Sequence, residues 1–244
     1  MNISINDVTI VSSYYSQVPD EKKFLDLRVA QFTKLCKIFP HMKMIIVDDG
    51  SPEPLEFIDH PNIKILRIKE DLGFNSHGAR NLGVHLAETR WCFLIDLDYD
   101  IGALDLESLE LEDRSDRVYS FTINSILIRR DAFFSCKGYD EEFVNIHYGD
   151  RCFLDYLKNK YNYVELKVNP KIGLRRGRKL LVTKDTHKTV YKNMKVTLQP
   201  ASAYSNLKFI EAEVSMRYAC DDFSDKKILN FEWEEVTGAS GQTP

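Results

Sequence analysis

The sequence predicts an α/β fold, a parallel, doubly wound sheet flanked by helices. Three observations predict it. Short β-rich runs alternate with stretches whose apolar residues recur near helical spacing. Two of the runs, "MKMIIVDDGSPEP" (42–54) and "RWCFLIDLDYDIG" (90–102), read as buried strands that break into acids and a glycine at their carboxyl ends. A chain of 244 residues is long enough to bury a sizeable core in one large α/β domain or two small ones.

Taken in order, "DVTIVSSYY" (7–15) is the first strand. Residues 20–38 read as an amphipathic helix, with Phe24, Leu27, Val29, Ala30, Leu35 and Ile38 on a broad stripe and Pro40 just past its end. The run 42–54 is a strand with its turn, and "NIKILRI" (62–68) alternates as a third strand. "NSHGARNLGVHLAET" (75–89) is a helix with Asn75 or Ser76 as its cap, and "RWCFLIDLD" is the fourth strand.

Composition narrows the classes. Apolar and charged fractions of 43% and 29% are those of an ordinary globular protein. No apolar run approaches the roughly 20 residues of a membrane helix, and the N-terminal stretch enters a strand pattern without a basic signal region, so a cytoplasmic protein is expected. The five cysteines are scattered, with no C-x-x-C pair, which suits reduced thiols better than disulfides or a zinc site. A net charge of -4 argues against a general nucleic-acid coat, yet allows a local basic patch.

The acids at the strand ends carry the chemistry. Asp96 and Asp98 are two residues apart, so in extended backbone both side chains leave on one side. Such a pair repels unless a cation offsets it, and hard divalent ions take carboxylates together with substrate phosphates. A polar turn after a strand is the plainer account of the same residues.

Four segments in order, "VTIVSSYYS", "IVDDGS", "LGFNSHGARNLG" and "FLIDLDYD", resemble the family-2 inverting glycosyltransferases of the GT-A type. Those run through a strand of the "VSIIIPTYN" kind, "VVDDGS", a helix N-x-G-x-x-x-A-R-N-x-G and a D-x-D strand end. The resemblance implies a GT-A-type, Rossmann-like sheet, mixed and mostly parallel and flanked by helices, and a nucleotide diphosphate sugar donor, a UDP-sugar first among them. It implies that Ser12 and Tyr14 line the base and that Asp48 or Asp49 accepts hydrogen bonds from base or ribose. Gly78, Arg80 and Asn81 match the family helix, with Arg80 on the nucleotide or fixing the metal-binding loop. Asp96 would touch the ribose, and Asp98 would ligate Mn²⁺ or Mg²⁺.

Further on, "IRRDAFFSCKGYDEEF" (128–143) resembles the acceptor-side segment of the same enzymes, and "GDRCFL" (149–154) fits it in part. Asp150 keeps the place of the catalytic base, although Gly149 stands where a Glu is usual and Cys152 where an acid is usual. A cap for a helix at 151–159 is the other role open to Asp150. The short interval from Asp98 to Asp150 is closer to the galactosyltransferase and polypeptide N-acetylgalactosaminyltransferase branch, where a later histidine completes the metal site. His187 is the candidate for that ligand, and His147 for acceptor contacts; a surface role is open to His187. The basic stretch 171–195 brings Arg175, Arg176 and Arg178 together, suited to a leaving diphosphate, to a solvated loop, or to an anionic acceptor.

The expected organisation is a GT-A domain over 1–199, with a nucleotide-sugar half (1–102) and an acceptor half (118–199). A helical extension (200–236) and a disordered tail (237–244) follow. The expected activity is metal-dependent, inverting transfer to a hydroxyl of a glycan, a lipid-linked sugar or another acceptor, DNA included. A non-catalytic nucleotide- or sugar-binding module and a sugar nucleotidyltransferase are the alternatives; the latter lacks support from any Gly-rich N-terminal phosphate loop.

Overall fold

Strand β1, Val8–Tyr14, lies at the centre of the sheet because it is apolar on both faces and pairs along both edges. The computed structural model describes residues 1–73, 75–97, 109–122, 124–141, 149–166, 229 and 231–238. Among these, β2 (Lys43–Asp48), β3 (Ile63–Ile68) and β4 (Trp91–Leu94) run parallel with β1. Strands β5 (Arg117–Thr122) and β6 (Ser125–Arg129) form an antiparallel hairpin beside β4. Strand β7 (Asn162–Glu165) pairs parallel with β5, and β8 (Trp233–Glu235) closes the other edge antiparallel to β3. The sheet is therefore eight-stranded in the order β7-β5-β6-β4-β1-β2-β3-β8, mixed and mostly parallel.

The period of two along each strand sorts side chains between two cores. Ile10, Tyr14, Met44, Ile46, Ile65, Trp91 and Phe93 face one side and meet Leu25, Val29, Phe32 and Cys36 of helix α1 (Pro19–Ile38). Val11, Ile45, Val47, Leu66, Cys92 and Leu94 face the other. There they meet Ala79, Leu82 and Val84 of α2 (Ser76–Leu86), with Phe133 of α3 (Arg130–Ser135) and Phe153 and Leu157 of α4 (Gly149–Lys160). Burial on both faces explains why these strands read as continuous apolar runs. Cys36, Cys92 and Cys136 are free and buried, and burial pushes the Cys36 thiol up to about 11.

Three expectations need correction. The buried stripe of α1 is Leu25, Val29, Phe32, Leu35 and Cys36, whereas Leu27 and Ala30 are exposed. The helix is turned relative to the expected stripe because Phe32 and Cys36 complete an i, i+3, i+4 ladder with Leu25 and Val29. Residues 233–235, expected to end a helical extension, form β8 instead, and Gly238 of the expected tail lies against Phe57. Alternating Trp233 and Glu234 suit an edge strand. Helix α4 starts at Gly149, so Asp150 belongs to its first turn rather than capping a helix at 151. The rest of the expected extension (200–228) and tail (239–244) lies outside the described residues. No helix among the described residues is long and apolar enough to cross a membrane.

Two glycines position the carboxyl edge. Gly83 lets α2 approach β1 so closely that a Cβ there would sit 2.3 Å from Val11 Cγ1. Gly50, after β2, has φ +73°, and an added Cβ would lie 2.2 Å from the Glu70 carbonyl oxygen. A backbone atom cannot move aside cheaply. Gly50→Ala is expected to cost about 2 kcal/mol or more, read as a lowered midpoint in chemical denaturation.

Candidate active site

At the carboxyl edge the two acids after β2 do different work. Asp48 accepts the amides of Ser51 (2.8 Å) and Leu55 (2.8 Å) and the Arg67 guanidinium (3.1 Å), which fixes the turn 49–55. Asp49 continues the ladder, its amide donating to the Tyr14 carbonyl at 2.8 Å. Its Oδ2 accepts the Asn75 amide at 2.5 Å, and its buried Oδ1 has no hydrogen-bond partner among the described residues. Burial pushes the Asp49 carboxyl well above the usual carboxylate range; the Asn75 amide opposes this, while Asp48 and Asp71 add to it. A buried carboxyl oxygen without a partner contributes nothing to the fold by itself, and it is the kind of atom that a ligand N–H or O–H satisfies.

The first strand also divides its residues. Ser12 is buried and its hydroxyl donates to the Ile95 carbonyl at 2.6 Å, tying β1 to the end of β4. Tyr14 is fully buried toward α1, with its hydroxyl 3.3 Å from Asp26; burial and that carboxylate raise its phenol. Tyr15, one residue on, points the other way and donates to Asp71 at 3.0 Å. Both tyrosines belong to the motif, but only Tyr15 is partly exposed at the edge. The alternation of the strand is the signal that distinguishes them.

Helix α2 supplies the centre of the site. Asn75 caps it by accepting the Gly78 amide at 3.1 Å, and a Cβ at Gly78 would press on that cap and on Phe231. His77, Arg80 and Asn81 fall at i, i+3 and i+4 and share one face of the helix. Asn81 clamps the segment before α4: it donates to the Tyr139 carbonyl (2.9 Å) and Glu141 (2.8 Å) and accepts the Tyr139 amide (2.8 Å). Glu141 in turn accepts the Leu229 amide at 2.8 Å.

Arg80 is 1% exposed and stands between two carboxylates. Its Nη1 donates to Asp150 Oδ1 at 2.5 Å and its Nη2 to Asp96 Oδ1, while the guanidinium lies 5.5 Å over the Tyr139 ring. Burial works against the charge, yet Asp96 and Asp150 more than offset it and hold the group above the ordinary arginine range. Asp96 also accepts Asn124 at 2.8 Å. His77, 3% exposed, places Nε2 at 3.7 Å from Asp150 Oδ1. Asp150 Oδ2 has no partner among the described residues.

The structure thus brings Gly78, Arg80, Asn81, Asp96 and Asp150 into one connected group. It sets Asp48 and Asp49 at the neighbouring strand end and turns Ser12 and Tyr14 inward. Asp98, Arg175, Arg176, Arg178 and His187, with His147, lie outside the described residues. His77, Tyr139 and Asn124 join the group unanticipated. For His77 the helical spacing to Arg80 was the available signal.

No protein-family model and no curated protein matches the sequence. Among solved structures, the chain is similar to S. aureus TarS 1-349, with 12% identity over 89% of this chain and 72% of that one and a TM-score of 0.49. It is similar to a mutant Drosophila beta-1,4-galactosyltransferase 7 in complex with manganese, UDP-Gal and xylobiose (13%, 73% and 78%, TM-score 0.43). A third is the mannosyltransferase PcManGT from Pyrobaculum calidifontis in complex with GDP-Man and Mn²⁺ (11%, 91% and 76%, TM-score 0.46). The second and third are named as sugar transferases, a galactosyltransferase and a mannosyltransferase. With every TM-score below 0.5, they lend nothing to the roles of individual residues, which rest on this chain alone.

The raised Asp49 carboxyl has a pH consequence. The stability tied to its neutral form is fully present below the ordinary value of 3.8 and is lost as pH rises through the folded value. Asp49→Asn keeps an acceptor for the Asn75 amide and cannot ionise. Its stability relative to the parent is therefore expected to climb by about 1 kcal/mol or more between pH 4 and pH 8 in parallel denaturant titrations.

Proposed function

We propose that this protein is a glycosyltransferase that moves a sugar from a nucleoside diphosphate sugar to an acceptor hydroxyl, with inversion. The observation that carries the reading is Arg80, buried between the first acid of the D-x-D strand end and Asp150. Arg80 occupies Asp150 Oδ1 and leaves Oδ2 without a partner among the described residues. That suits Asp150 as the base and Oδ2 as the atom that takes the acceptor proton. The orphan oxygen of Asp49 suits a nucleobase or ribose donor group, and Tyr15 stands beside it at the same edge.

For the donor diphosphate, the basic residues Arg175, Arg176 and Arg178 are the proposed counter-charges. A divalent cation fits the donor chemistry of the D-x-D end. Asp96 already has one oxygen on Arg80 and the other on Asn124, so Asp98, with His187, would hold the ion. Among the described residues no group of three or more His, Cys, Asp or Glu side chains gathers into a metal site. When bound, Mn²⁺ or Mg²⁺ would supply charge neutralisation for the departing diphosphate. The UDP-sugar donor, the glycan, lipid-linked or DNA acceptor and the cytoplasmic setting belong to the same proposal. The replacement of the usual Glu by Gly149 favours one second reading, a nucleotide- or sugar-binding module without transfer. Donor hydrolysis and transfer by the whole chain separate the two.

Two variants test the reading. Asp98→Asn is expected to abolish Mn²⁺-dependent binding of a UDP-sugar, followed by thermal shift, with little change in the ligand-free melting temperature. Unchanged Mn²⁺-dependent binding removes Asp98 from the metal set. Asp150→Asn is expected to keep donor binding and lose at least about 100-fold in transfer rate. A fully active variant eliminates Asp150 as base.

A further inference from the structure

We infer that His77 is a positioning residue for the Asp150 carboxylate, and the inference rests on the glycosyl-transfer reading above. The geometry begins with α2. Asn75 ends the loop and caps the helix, so His77 enters its first turn on the face that carries Arg80 and Asn81. Opposite that face lies the first turn of α4, where Asp150 sits. Both His77 and Arg80 address the same atom, Asp150 Oδ1, at 3.7 and 2.5 Å. Arg80 holds that oxygen by a hydrogen bond, while His77 Nε2 stands beyond hydrogen-bond reach and meets it as a charge contact when the imidazole is protonated.

The surroundings leave the imidazole little freedom. His77 is 3% exposed and its ring is tilted against Tyr139 with centroids 5.3 Å apart. Tyr139 is itself fixed by the Asn81 clamp and by Phe153 of α4 at 4.4 Å. Among the described residues, the charged and titratable groups that face His77 include Asp150 from α4, Arg80 from its own helix, Tyr139 from the preceding segment, and Asp96 through Arg80. Arg80 alone would let the carboxylate swing about a single contact, because its other nitrogen belongs to Asp96. A second group beside Oδ1 narrows the directions in which the carboxyl can turn.

The step this serves balances simply. The acceptor O–H bond breaks and its proton goes to Asp150 Oδ2. The acceptor oxygen forms the new bond to the anomeric carbon. The bond from that carbon to the diphosphate oxygen breaks, and its electron pair leaves with the nucleoside diphosphate. His77 touches none of the reacting atoms; it sets the direction in which Oδ2 points.

The test combines a spectroscopic and a kinetic readout on the whole chain. The His77 imidazole signal is identified by its loss in His77→Gln. Its titration is then followed by NMR in the parent and in Asp150→Asn. Removing a carboxylate at this distance is expected to move the titration to lower pH. His77→Leu fills the same space against Tyr139 without a polar atom. It is expected to lower kcat for transfer by about tenfold while KM for the UDP-sugar changes less than about twofold. His77→Gln, whose amide nitrogen reaches the position of Nε2, is expected to recover most of that loss.

An unmoved His77 titration overturns the pairing, whatever reaction the chain performs. A shifted titration together with a fully active His77→Leu, or with Gln as poor as Leu, overturns the positioning role. A shifted titration in a chain that transfers no sugar supports the pairing and counts against the glycosyl-transfer reading itself.

Discussion

The buried guanidinium of Arg80 is the interaction on which the carboxyl edge depends. A charge with 1% exposure is tolerable only with close counter-charges, and here they come from two distant parts of the chain. Asp96 follows β4 and Asp150 opens α4, so one side chain on α2 joins the two halves of the sheet. The carboxylates need the arginine as much as it needs them, since two acids this close repel without a shared cation. Asp96, the acid that ends an apolar strand, thus has its counter-cation in Arg80, 16 residues earlier in the sequence.

That group depends on close packing behind it. Gly83 brings α2 down onto Val11, and the Asn75 cap sets where the helix begins. Asn81 then holds the segment from Tyr139 to Glu141 by three hydrogen bonds. The site residues sit on a helix whose depth and start are both fixed, which suits side chains that must meet within a few tenths of an ångström.

Much of this was legible in the sequence, and the exceptions have physical reasons. The four parallel strands and α2 were readable because both-face burial makes long apolar runs and because Asn75 is a good cap. The motif also pointed to Arg80 and Asp150 as site residues, but not to their contact, which joins positions 70 residues apart. Asp48 and Asp49 are chemically identical in sequence; only the hydrogen bonds show that one is consumed by its turn and the other keeps a spare oxygen. Tyr14 and Tyr15 differ only in the parity of the strand. The α1 stripe was misjudged by rotation, because Leu27 is apolar yet faces water. The β5–β6 hairpin and β8 were missed because short strands at a sheet's margin carry too few residues for a periodic signal.

The pairing of β8 with β3 has a consequence for the nascent chain. Ile68 meets Trp233 across a separation of 165 residues. During synthesis, the backbone edge of β3 therefore stays open long after its parallel neighbours have been made, and an open edge invites pairing with other chains. Leu229, just ahead of β8, is also the residue whose amide Glu141 accepts. The strand that covers the β3 edge and the contact that steadies the Asn81 clamp are thus delivered by the same late-emerging segment. A ribosome-bound chain short of that segment carries an unsealed sheet and an unfinished site together.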